Sequence, residues 1–138
     1  MATNFISVTP LSNKETIQIG DNSFQFGEYK NGGVVARLEV GTILARNTTT
    51  GQLVPLDLSA TTTNANSPVG FNTDARDFAI NEAKQIRYVT GGKINEDVIK
   101  LPSGVTMDSI IGTSGSPGAK TLRDYLTGMG FEIVKPTL

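Results

Sequence analysis

Apolar residues in this chain come in short runs that alternate with polar ones, and nearly every run is cut by glycine, asparagine or proline. That pattern limits the fold more than any other feature, because period-two alternation suits strands and leaves no room for long helices. Gln85-Ile86-Arg87-Tyr88-Val89-Thr90 is the cleanest case, and Gly91-Gly92 after it is the strongest turn signal in the chain. Lys93 to Pro102 continues on the far side of that turn. A hairpin is expected from Val40–Arg46 and Gln52–Leu56 around Asn47-Thr48-Thr49-Thr50-Gly51, with Pro55 at a strand end or on an edge because proline cannot donate to a ladder. Pro68-Val69-Gly70-Phe71 opens another strand after a Thr/Asn/Ala loop, and Thr73 to Lys84 reads as charged and irregular.

Ahead of these, residues 1–33 carry scattered apolar positions: Phe5, Ile6 and Val8, then Ile17 and Ile19, then Phe24 and Phe26. Turn clusters at Asn13-Lys14, Gly20-Asp21-Asn22 and Lys30-Asn31-Gly32-Gly33 chop the segment, so it is expected to be a partly extended N-terminal arm. Residues 34–138 then form a single β-rich domain. The fold class expected is a β-rich α+β domain, a small mixed β-sandwich or barrel with one short C-terminal helix.

That helix is expected after the glycine-rich stretch 112–118. Ser116 can cap it, Pro117 suits its first position, and Leu122, Tyr125 and Leu126 share a face. Gly128 is the expected left-handed terminator, and Phe131 to Val134 the closing strand. The same stretch invites a phosphate-loop reading that fails on its own chemistry. Counting from Gly112, Pro117 stands where the second glycine belongs, and Ala119 precedes Lys120. Proline has no amide to offer a phosphate. Lys120 is therefore expected to face solvent.

The chain has 138 residues and contains no cysteine and no histidine. Disulfides, thiolate metal sites and Ser-His or Cys-His nucleophile pairs are excluded. No metal site or cofactor is expected. A formal charge of −1 without like-charged blocks recruits neither nucleic acid nor an anionic membrane. The N-terminus MATNFISVTP lacks a basic start and apolar segment, so synthesis in a cytoplasm is expected. Glu96 and Asp97 are neighbours and would point to opposite faces of a strand, which rules them out as an acid and base pair. Asp74, Arg76, Asp77, Glu82 and Lys84 form a mixed-sign surface without the oxygen-ligand spacing of a calcium loop. No catalytic residue is nominated.

The order of segments GTILARNTTTGQLVPL, SPVGFNTDA, IRYVTGGKINEDVIKLP, a helix and a terminal FEIV strand is similar to the head decoration proteins of lambda-like tailed phages. The residues that carry the resemblance are Val69-Gly70-Phe71, Gly92-Lys93-Ile94, Glu96-Asp97-Val98 and Pro102, within about residues 38 to 135. The chain departs from the family in its longer, more apolar N-terminal arm and in the glycine-rich loop 112–118. The resemblance implies a β-tulip-like fold and a homotrimer on the outer surface of the expanded head. There it would sit at three-fold and quasi-three-fold positions and cement the major capsid protein against DNA pressure. The protein would then be a virion component made in the host cytoplasm, with no enzymatic activity. If so, alternating apolar side chains on the arm suit strand addition to a capsid sheet. Asn4, Phe5, Ile6, Val8, Thr16, Ile17 and Ile19 are the expected capsid-binding residues, and deleting residues 2–19 is expected to abolish binding. The competing readings are a phage receptor- or glycan-binding adhesion module and a small hydrolase using Asp74, Asp77 or Glu96.

Overall fold

Two long strands carry the architecture. The computed structural model describes residues 16–59, 65–111 and 119–135. In it β1 (Gln18–Lys30) and β7 (Ala83–Asn95) run antiparallel, from Gln18 opposite Ile94 to Lys30 opposite Ala83. Between them lie β2 (Ala36–Leu38), β3 (Ile43–Arg46), β4 (Leu53–Pro55), β5 (Pro68–Asn72) and β6 (Arg76–Phe78). After β7 come a 3₁₀ turn (Glu96–Val98), β8 (Ile110–Ile111), β9 (Lys120–Thr121), the helix α1 (Leu122–Gly128) and β10 (Phe131–Val134).

The main sheet has six strands in the order β1-β4-β3-β5-β7-β10, and the additional β1–β7 pairing closes all but β10 into a small barrel. Closure at β1–β4 is a single parallel pair, Tyr29 opposite Leu53. β10 lies parallel to the end of β7, and the remaining pairs are antiparallel, so the sheet is mixed. β2 and β6 form a separate two-stranded ribbon, as do β8 and β9. The chain is thus a β-rich α+β domain, barrel-like, with one short helix near its C-terminal end.

Successive side chains on a strand point to opposite faces, and here both faces are covered. Leu44, Leu53, Ile86, Tyr88 and Tyr29 pack together on the inner face of the barrel, joined by Leu38 and Phe78 from the β2–β6 ribbon. Ile43, Ala45, Phe71 and Val89, one position out of step, pack outward against Leu122, Leu126 and Phe131 of α1 and β10. Gly70 makes the inner packing possible: a Cβ there would lie 2.3 Å from the Val89 carbonyl oxygen and 2.8 Å from the Tyr88 ring. The Tyr88 hydroxyl accepts from Arg46 Nη2 at 2.8 Å and donates to Gln25 Oε1 at 3.0 Å, which satisfies the polar tip of a ring that is otherwise buried.

Several features differ from expectation. Gly91-Gly92 is not a turn; β7 runs straight through it. The irregularity is a bulge on the opposite strand, with register shifts between Ile19 and Phe24. Asn22 Nδ2 reaches across to the carbonyls of Gly91 and Lys93 at 3.0 and 2.9 Å. Gly92, at φ +99°, is where the two backbones meet: a Cβ would lie 2.6 Å from that Nδ2. Gly20-Asp21-Asn22, expected to be a turn, therefore lies within one continuous strand.

The boundary expected at residue 33 does not divide the molecule either, because β1 is a wall of the barrel rather than part of an arm. Thr73 to Lys84 contains β6, whose Phe78 is buried. The helix begins later than expected, with Thr121 as its cap: Oγ1 accepts from Asp124 N at 3.1 Å. Ser116 and Pro117 lie outside the described residues. Gly130 at φ +105°, not Gly128, takes the left-handed conformation behind the helix. Leu122 and Leu126 are buried and Tyr125 packs against the same cluster, as their spacing predicts. Lys120 is exposed.

Candidate interaction surface

Of the residues expected to contact a capsid, Asn4, Phe5, Ile6 and Val8 lie outside the described residues. The structure does place Thr16, Ile17 and Ile19, and it builds them into this chain's own fold. Ile17 is completely buried in the outer core, and its carbonyl accepts from Asn95 N at 2.8 Å. Ile19 pairs with Lys93, and the carbonyl of Thr16 accepts from Asn95 Nδ2 at 3.4 Å. A buried side chain with a paired backbone cannot be the free strand that docking requires. Period two identified this segment as a strand but gave no hint of which sheet it joins.

Of the six large apolar side chains most open to solvent among the described residues, five lie in two places; the sixth, Ile110 on β8, is 42% exposed. The first is the outer face of the β1–β7 ribbon. Phe24 and Phe26 stand there opposite Val89 and Arg87, and Phe26 is 65% exposed. Arg87 lies over the Phe24 ring at 4.7 Å, and its Nε donates to Thr73 Oγ1 at 3.3 Å. Asp74 sits 3.8 Å from the same guanidinium. The result is an aromatic stripe edged by a charge pair.

The second is the corner between β1 and β2, where Val34 and Val35 are 69% and 72% exposed and Ile80, after β6, is 56% exposed. The two backbones that carry them run side by side. Asn31 Nδ2 donates to both Val34 O and Ala79 O at 2.7 Å, and Asn81 N donates to Gly32 O at 2.9 Å. Glycines 32 and 33 precede this corner, and the Val34-Val35 pair after them was the available signal in the sequence. A pair of valines next to a turn reads equally well as the start of a buried strand.

The carboxylates considered for catalysis are each engaged with a different arginine: Asp74 with Arg87, Asp77 with Arg37 at 3.0 Å, Glu96 with Arg123 at 3.0 Å. Glu96 opens a 3₁₀ turn rather than sitting on a strand, and both its oxygens accept from the Arg123 guanidinium. That hydrogen-bonded cation holds the Glu96 carboxyl below the usual glutamate range. Among the described residues no pocket is found, and no group of three or more His, Cys, Asp or Glu side chains could hold a metal ion. None of the described helices is long and apolar enough to cross a membrane.

What this surface offers chemically is apolar and aromatic area on rigid strands, suited to burial against another protein. No protein-family model matches the chain. No curated protein matches its sequence either.

Proposed function

We propose that this chain is a non-enzymatic decoration protein of a tailed-phage head, which trimerises and cements the major capsid protein on the outer surface of the expanded shell. The observation that carries the reading is the pair of separate apolar patches, Phe24–Phe26 on the ribbon and Val34–Val35–Ile80 at the corner. A three-fold contact is heterologous, so each subunit must present two different surfaces that fit each other. Two separate patches on one domain are what such a contact could use, and they support the reading. The segment order that resembles lambda-like decoration proteins supplies the partner.

In this reading the first 15 residues dock on the capsid, with Phe5, Ile6 and Val8 spaced for strand addition. Three such segments on one trimer turn a weak contact into firm attachment through effective concentration. The boundary of the docking segment stops before Ile17, because that side chain belongs to the core.

Co-sedimentation with expanded capsids that lack decoration tests the proposal. Saturable binding at one trimer per three-fold position is expected. A chain without residues 2–15 is expected to keep its fold and mass in solution while losing capsid binding, and full binding by that truncation rejects the docking segment.

A further inference from the structure

We propose that Asn31–Gly32 is a deamidation site that the native fold holds shut, and that its reaction, once it occurs, prevents the corner from closing again. The dipeptide is chemically primed. The backbone nitrogen of Gly32 can attack Asn31 Cγ, losing its proton as ammonia leaves, and a five-membered succinimide forms. Water then opens either carbonyl of that ring to give aspartate or isoaspartate. A glycine after the asparagine removes the side chain that would hinder the attack and gives the backbone the freedom to reach it.

In the folded chain that freedom is absent. Asn31 is 6% exposed, and both donors of its amide are committed, to Val34 O and Ala79 O at 2.7 Å. Its backbone nitrogen donates to Glu82 O at 2.9 Å, and Gly32 O accepts from Asn81 N at 2.9 Å. For Gly32 N to reach Cγ, the side chain must abandon the two carbonyls it donates to and the turn must come away from residues 79–82. The reaction therefore proceeds from the opened or unfolded chain.

The product cannot take the place of the amide. A carboxylate has only acceptors, and at position 31 it would face two carbonyl oxygens. Isoaspartate would also lengthen the backbone inside a pinned turn. Deamidation thus opens the corner that presents Val34, Val35 and Ile80, and leaves in the chain a record of time spent unfolded. This inference stands apart from the capsid reading.

The test incubates the full chain in mildly alkaline buffer at physiological temperature, once folded and once in concentrated urea, and follows the peptide containing Asn31 by mass spectrometry. Folding is expected to slow the conversion by roughly tenfold or more, the factor implied by losing two hydrogen bonds. Gly32→Ala is the companion variant. A Cβ at Gly32 meets nothing within 4 Å, so the variant is expected to fold normally and to deamidate slowly in urea as well. Asn31→Asp is expected to melt below the parent chain or fail to fold, either of which supports the proposal. Equal rates in the folded and unfolded chains, or an Asn31→Asp variant that melts with the parent, would overturn it.

Discussion

Glu96 and Arg123 show how one contact sets a pH response. The bidentate pair lowers the folded-state pKa of Glu96 below its unfolded value. Its stabilisation is therefore complete above the ordinary glutamate range and is lost as pH falls through the lowered folded value. Both groups are partly exposed, so the pair contributes about 1 kcal/mol or less. Glu96→Gln is expected to cost that amount at neutral pH and nothing once Glu96 is protonated in the parent; urea titrations across the acid range would show the two chains converging. A constant gap at every pH would remove the ion pair as the cause. In the sequence nothing tied Glu96 to Arg123, because that partner stands 27 positions away. Local spacing reveals neighbours along an element and is silent on such contacts. Gly92 misled for a related reason: a double glycine marks either a turn or a close approach of two backbones, and only the opposite strand decides which.

At the scale of elements, the strand core was legible because alternation is a local signal. β3, β4, β5 and β10 lie where their runs and breakers put them, and the hairpin pairs Leu44 with Pro55 as a strand-end proline requires. The helix was legible in its face and not in its ends, since Thr121 caps as well as Ser116 and a single sequence does not rank them. α1 has only seven residues, too few to be stable alone, so it is held by what it covers. Leu126→Ala is expected to cost about 2–5 kcal/mol, the usual range for a fully buried leucine, read from the urea midpoint with an unchanged slope. A loss near the surface average of a few tenths would mean that the helix does not seal the outer core. The β1–β7 ribbon was the least legible element. Alternation marked its β7 half clearly, but the side chains of β1 are mostly exposed and its partners stand far along the chain, from Gln18 opposite Ile94 to Lys30 opposite Ala83, so nothing local showed that the two strands pair.

For the whole molecule, the question is what the two apolar patches meet. Each lies on backbone that is already hydrogen-bonded, so changing it should disturb assembly and leave folding intact. Phe26→Glu and Val35→Glu are each expected to keep the parent melting temperature within a degree or two and to shift the mass measured by light scattering from trimer to monomer. Unchanged mass in both variants would mean that the patches serve another contact. The candidate site was hidden in the sequence because exposure is a property of the closed barrel: Phe24 and Phe26 alternate as buried residues do, yet both reach solvent. The measurement that reaches the central claim most directly is co-sedimentation of the full chain and its 2–15 deletion with expanded, undecorated capsids. The account predicts saturation at one trimer per three-fold position for the full chain and none for the deletion. No binding by the full chain to any tailed-phage capsid that retains empty three-fold positions would contradict it.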